Sequence, residues 1–351
     1  MDNTNNTDIL PVDNIAKPKQ GKEVIDVERD FEGNLEDAIA AAEDGDVVSL
    51  GAKVYETQGV KIDKDITLDG VEGTVLNGGG TYSPIIDISE AGSGATISDM
   101  EITDANIGVQ GLGASDLTLS NLEVHNIGND EIVREGQNNV GISLTYADGF
   151  KVLDSQVYDI SRKGVGINDT DGGIVSGLTV EDINLDAQHA QSFDAGGIKL
   201  FNTNDVTVSD NELSSVNAFH IWNDITNGTV IEDNTVTGVG EDFLAPEFNQ
   251  NVTVSGIYNE KSVNSVVEGN TVDSVGRFIA FDATAFTTET MMLGENEFSS
   301  IELDTTDYWS NEQAERIVAI TEDPAEANFN LFADDFFNDT KTNIGDGEAD
   351  M

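Results

Sequence analysis

The stretch SQVYDISRKGVGINDTDGGIVSGLTVEDI, residues 155–183, carries one pattern twice. Val157 and Ile160 are apolar residues separated by two polar positions, and Val180 and Ile183 repeat them 23 residues later. The pair recurs on both sides: Ile102/Ala105 and Val124/Ile127 before it, and Leu213/Val216, Val236/Val239, Val272/Val275 and Phe298/Ile301 after it. Successive first members lie 22, 33, 23, 33, 23, 36 and 26 residues apart. The base period is 22 or 23, and roughly every second turn carries an insertion of about ten or more residues. Two residues before each pair runs a second column: Met100, Leu122, Ser155, Leu178, Asn211, Asn234, Asn270 and Asn296. Its four asparagines predict a ladder in which each side-chain amide bonds to the next. A further strand signature appears once per repeat, as in Gly166-Ile167-Asn168-Asp169, Gly197-Ile198-Lys199-Leu200 and Ala218-Phe219-His220-Ile221. There small or apolar residues alternate with polar ones, the period of a strand.

Short strands at this period, with Gly, Asn and Asp at the turns, predict an all-β solenoid of about nine or ten coils. No coil can bury its own apolar face; stacking coils at about 4.8 Å buries one continuous core. A β-sandwich also has regularly spaced strands, but it gives no reason for the same column to recur coil after coil.

The charge narrows the partners. Sixty-seven Asp and Glu against sixteen Lys and Arg give a net charge of −51. Binding to a phosphate backbone depends on Lys and Arg displacing counterions, so nucleic acid is excluded as a partner, as is docking on an anionic membrane. No apolar run reaches the length of a transmembrane helix, so no membrane insertion is expected. The chain lacks cysteine, which removes disulfides and thiolate chemistry. With 38% hydrophobic residues in strict patterns, the acidity belongs to a folded surface rather than to disorder. Such repulsion is tolerable where salt screens it, which fits a halophilic or marine source. The N-terminus lacks the basic and apolar regions of a secretory signal. Residues 1–32 read as a polar arm, 33–301 as the solenoid, and 302–351 as a cap or association segment with a loose tail. In that last part Asn311–Ala319 reads as a short helix, and Phe329, Leu331, Phe332, Phe336 and Phe337 are too apolar for a free tail.

The segment GNLEDAIAAAEDGDVVSLGAKVYETQGVKIDKDITLDG, residues 33–70, resembles the leading segment of the right-handed parallel β-helix superfamily of pectate-lyase-like proteins. In that family an amphipathic helix covers the open end of the barrel. Here Asn34 suits an N-cap with Asp37 in the first turn, and Leu35, Ala38, Ile39 and Ala42 form the apolar stripe. The resemblance spans about 33–301. It implies the fold, while the superfamily's activities range over lyases, hydrolases, epimerases, esterases, adhesins and viral spikes.

Candidate chemistry follows from phase. The insertions 128–139, 184–194 and 240–252 occupy the same place in their coils, so they wall one edge of one sheet. Read by alternation, the outward face of that sheet holds Gln110, Ser143, Asn168, Lys199, His220, Tyr258 and Ala280 in one row. Thr145, Thr170, Phe201, Trp222, Glu260 and Asp282 form the next. Outward aromatics suit stacking on sugar rings. Lys199, His220 and Tyr258 are the candidate catalytic residues, able to neutralise a carboxylate, remove a proton and protonate a leaving oxygen. Phe201, Trp222, Asn168 and Glu260, with Arg134 and His189 on the insertions, are the candidate substrate-binding residues. A slip of one residue would turn Phe201 and Trp222 inward, and Lys199 serves equally as partner to a surplus acid. Asn168-Asp169-Thr170-Asp171-Gly172 is similar to an element of polygalacturonase-like hydrolases, but reads first as a turn. No arginine constellation of pectate lyases, Asp-Pro-His motif or calcium-binding nonapeptide is present. Calcium suits carboxylate-rich turns, with no site assigned.

These readings predict a surface-exposed, extracellular or virion-surface β-helix that recognises a polysaccharide, with lyase or hydrolase activity left open. The alternative is a non-catalytic spike, decoration protein or adhesin, with a homo-oligomer such as a trimer as its expected form.

Overall fold

The computed structural model describes residues 22–128, 139–183, 195–217, 219–238, 255–260 and 262–273, together with the strands Arg277–Asp282, Met292–Leu293, Glu297–Ser299, Asn330–Leu331 and Thr342–Asn343. The predicted helical cap (Asn311–Ala319), the phenylalanines Phe329, Phe332, Phe336 and Phe337, and the three insertions beyond Gly128 and Asn139 lie outside them. Asn330–Leu331 pairs antiparallel with Thr342–Asn343.

One coil shows how the chain winds. Lys163–Asn168 belongs to a front sheet, Asp171–Ser176 to a side sheet and Thr179–Ile183 to a back sheet, and Gly196–Phe201 returns to the front. Every neighbouring pair along the stack is parallel. The apolar pairs meet their counterparts one coil on: Val124 opposes Val157, Val157 Val180, Val180 Leu213, Leu213 Val236, Val236 Val272, and Val272 Phe298. Val124, Val157, Val180, Val236 and Val272 have no exposed surface. The recurrence in the sequence is thus a vertical file of core side chains.

The three-residue spacing of the pair has a backbone cause. Two residues facing one side of a regular strand are two apart. Here the residue before the second apolar member is left-handed: Asp104, Asn126, Asp159, Asp182 and Ser215 have φ of 66°, 53°, 53°, 52° and 52°. That residue turns the chain, so both apolar side chains reach the core. Further left-handed columns mark other corners, including Asp99, Asn121, Asp154, Asp210 and Asp233. Short polar side chains tolerate this region best. Among the described residues, ten of the eighteen non-glycine residues at positive φ are aspartates and four are asparagines, so part of the acidity is architectural.

The asparagine ladder stands at the corner between side and back sheets. Asn211 Nδ2 donates to Asn234 Oδ1, and Asn234 Nδ2 to Asn270 Oδ1, both at 2.9 Å. Each Oδ1 also accepts a backbone N–H from the coil before: Leu178 to Asn211, Asn211 to Asn234, Asn234 to Asn270. Asn296 lies outside the described residues. At the N-terminal end, Leu35–Ala41 is a helix whose N-cap Asn34 accepts from Asp37 N at 3.1 Å, with Leu35, Ala38 and Ile39 buried. Within the stretch read as a polar arm, Val24–Asp26 pairs with Val47–Ser49, and a short helix, Val27–Phe31, follows. Gly173 is required where it stands: at φ 150°, a Cβ there would lie 2.2 Å from the Phe150 ring.

Candidate functional site

The front sheet stacks Val140–Thr145, Lys163–Asn168, Gly196–Phe201, Phe219–Asp224, Ser255–Glu260 and Arg277–Asp282. Its alternation is broken in a way that decides which residues meet. A Cβ on Gly141 would touch the core atoms Val157 Cγ1 and Ile160 Cδ1, whereas one on Gly166 would approach Val140 and Lys163. In the strands from Val140–Thr145 to Phe219–Asp224 the first, fourth and sixth residues therefore face outward, and the second, third and fifth face the core.

The fourth positions give the file Gln110, Ser143, Gly166, Lys199, Trp222, Tyr258 and Ala280. The sixth positions give Leu112, Thr145, Asn168, Phe201, Asp224, Glu260 and Asp282. Trp222 thus stands directly between Lys199 and Tyr258, one column from where alternation alone put it, and it faces outward. Asn168 belongs beside Phe201 rather than Lys199, and its Nδ2 donates to Thr145 Oγ1 at 3.4 Å. Thr170 leaves the row: it is buried, and its hydroxyl donates to Asn168 O and accepts Ala147 N. With Asp169 left-handed at φ 49°, the Asn168–Gly172 stretch is a corner.

His220 does not join the outward cluster. It lies opposite Gly197, where a Cβ would meet Leu213 and Val216, and it has no exposed surface. Its ring Nε2 lies 3.0 Å from Thr237 O, as the donor to that carbonyl. In the sequence Phe219, which faces outward, and Ile167, a core residue at the fifth position, mimic the third-position residue, whereas Ile221 and Val165 fill that place. Arg134 and His189 fall outside the described residues, and Glu260 is placed by backbone register alone.

Around Lys199 the side chains form a compact group. Its Nζ lies 3.5 Å from the Trp222 ring centroid, 5.5 Å from that of Phe201 and 3.7 Å from Asp224 Oδ2. A cation over an aromatic face is held by the ring quadrupole, and the paired carboxylate offsets the desolvation of the ammonium. Phe219, which the sequence reading turned inward, faces outward and stacks on Tyr258 at 4.6 Å and against Trp222 at 4.7 Å. Trp222 and Tyr258 are 7% and 2% exposed. Phe201, Phe219, Asn168 and Thr145 are half-buried, and Tyr146 and Leu112 are exposed at the lower end. The Trp222 Nε1 donor has no acceptor among the described residues. Lys163 adds a second buried cation to the same face. Tyr258 stands two coils from Lys199, a backbone separation of about 10 Å, with Trp222 on the strand between them.

The back sheet carries a polar group that periodicity gave no reason to single out. His125 and Tyr158 stack at 4.8 Å; His125 Nε2 donates to Glu101 at 3.0 Å, and the Tyr158 hydroxyl donates to Glu123 at 2.6 Å. Burial, then the Glu123 carboxylate, pushes the Tyr158 phenol well above its usual range. Among the described residues no group of three or more His, Asp or Glu side chains is placed to hold a metal ion, and no helix is long and apolar enough to cross a membrane.

The sequence pattern described as "Right handed beta helix region" matches residues 138–302. No curated protein matches the chain. Among solved structures, the chain is similar to an alginate lyase of Paenibacillus sp. str. FPU-7, with a TM-score of 0.52 and 14% identity over 80% of this chain and 98% of that one. It is similar to a lacto-N-biosidase of Eubacterium ramulus at a TM-score of 0.51 and 13% identity, over 76% of this chain and 64% of that one. Tailspike protein 2 of an Escherichia coli O157:H7 bacteriophage gives 0.55 and 10% identity, over 82% of this chain and 42% of the tailspike. At such identities the likeness is one of fold, and with the parallel registers it gives this chain the right-handed parallel β-helix fold.

Proposed function

We propose that the front sheet is a saccharide-binding face of an extracellular or virion-surface protein. The observation that carries this reading is the outward group of Phe201, Phe219, Trp222 and Tyr258 gathered around Lys199 on successive coils. Aromatic rings offer an apolar surface to the C–H faces of sugars, and the Thr145–Asn168 column beside them offers hydroxyl and amide partners to the sugar edge. The names of two similar structures, an alginate lyase and a lacto-N-biosidase, support a saccharide as the partner.

The placement of the three candidate catalytic residues favours recognition without cleavage. Lys199 is engaged by Asp224 and Trp222, His220 bonds to a backbone carbonyl away from the face, and Tyr258 stands two coils from Lys199. A spike or adhesin is the role this fits.

The test is binding to a glycan panel by the wild-type protein and Phe201→Ala. The half-buried Phe201 ring is one of the two accessible stacking partners, with Phe219, and its loss weakens binding about tenfold, the worth of one aromatic contact. Equal binding by both proteins contradicts the site. Release of unsaturated products or new reducing ends from any panel member contradicts the non-catalytic role.

A further inference from the structure

Behind the aromatic face, the core changes character. The fifth position of each front strand runs Leu144, Ile167, Leu200, then Asn223 and Asn259. Leu144, Ile167 and Leu200 are fully buried in the core, and so is Asn223. The switch from hydrocarbon to amide falls on the two strands that carry Trp222 and Tyr258.

Asn223 is bonded at both ends of its amide. Its Nδ2 donates to Asn259 Oδ1 at 3.0 Å, its Oδ1 accepts the Thr226 hydroxyl at 2.7 Å, and its backbone carbonyl accepts the Ser262 hydroxyl at 2.8 Å. The Thr226 bond bridges the corner that contains Ile225, left-handed at φ 55°. The equivalent corner residues of earlier coils are Tyr146, Asp169 and Asn202, with φ of 54°, 49° and 52°. A β-branched residue in this region is a steric outlier that persists only where its surroundings hold it. Asn and Leu share the same branching and number of side-chain heavy atoms, so the apolar file of Leu144, Ile167 and Leu200 has a counterpart of similar shape in this coil. A buried polar network in its place fixes geometry rather than adding stability.

We infer that Asn223 and Thr226 are positioning residues. Together they hold the Trp222–Asp224 strand end and its left-handed corner in the arrangement that sets the indole against Lys199. This inference rests on the saccharide-binding reading for its consequence, though not for its geometry.

The experiment compares Thr226→Val with Thr226→Ser in a Trp309→Phe background, which leaves Trp222 as the one tryptophan. The valine variant keeps the shape and removes the hydroxyl; the serine variant keeps the hydroxyl. Acrylamide quenching of Trp222 fluorescence should rise at least twofold in Thr226→Val and stay at the parent value in Thr226→Ser. Affinity for the best glycan of the panel should fall about tenfold in the valine variant and recover in the serine variant. The double variant Asn223→Leu/Asn259→Leu, which extends the apolar file and removes both partners of the amide–amide bond, should match Thr226→Val in both readouts while its melting temperature stays close to the parent's. Parent-like quenching in Thr226→Val overturns the inference, as does a serine variant that behaves like the valine variant. If the parent binds no glycan while quenching separates valine from serine, the positioning role stands and the saccharide reading fails.

Discussion

Two asparagine ladders run through this solenoid, and they differ in what they replace. Asn211, Asn234 and Asn270 stand at a corner where the turning backbone leaves groups without partners. Their Oδ1 atoms accept N–H groups of the coil before, and their Nδ2 atoms donate to Val175 O, Val208 O and Ile231 O. Asn223 and Asn259 stand within the strands, one residue before their ends, where the parallel register pairs the backbone and the coils below use leucine and isoleucine. The first ladder supplies bonds that folding requires. The second puts amides into a place that hydrocarbon would fill. The same chemistry is therefore architectural in one region and tied to the aromatic face in the other.

The largest effect expected is at the face itself. Lys199→Met removes the ammonium that Asp224 and the Trp222 ring surround and leaves a buried carboxylate without its cation, a loss of about 3 kcal/mol in denaturant unfolding. The double variant Lys199→Met/Asp224→Leu should recover most of it; a single variant as stable as the parent would show that the pair does not organise the face. Next comes the contrast between ladders. Asn234→Leu strands the N–H of Asn211 and the Val208 carbonyl, at about 2–3 kcal/mol, whereas Asn223→Leu/Asn259→Leu, which removes both partners of their bond, should cost less than about 1 kcal/mol. Equal losses would erase the distinction drawn here.

The smallest effect lies far from both, at the capped end. Tyr55 donates to Glu28 at 2.7 Å and accepts Gly51 N at 2.8 Å. Burial, then the Glu28 carboxylate, raises its phenol to about 12. An acid whose folded pKa is raised contributes stability that is complete below its unfolded value near 10 and is lost as pH rises toward 12. Alkaline titration should thus destabilise the parent in that window, and Tyr55→Phe should flatten the response. A parallel decline in both proteins would assign the alkaline loss elsewhere.

The corner ladder and the helical cap were legible because each has a local rule: Asn211, Asn234 and Asn270 recur at one phase, and Asn34 precedes an apolar stripe at helical spacing. The core file Val124–Val157–Val180–Leu213–Val236 was legible for the same reason. The front face was legible only in part. Strict alternation fails there because the second and third residues of each strand both look toward the core, which shifted Trp222 by a column, hid Phe219 and put His220 on the wrong side. Asp224 was unreadable as the partner of Lys199, since one acid among sixty-seven carries no mark of its neighbour until the register is known.

Trp222 reports most directly on the central claim, that this face binds sugar. In the Trp309→Phe background, fluorescence titration with the members of a glycan panel should give a saturable change for at least one of them, with affinity about tenfold weaker in Phe201→Ala. Emission unmoved by every glycan, or a saturable change of equal affinity with and without Phe201, would contradict it.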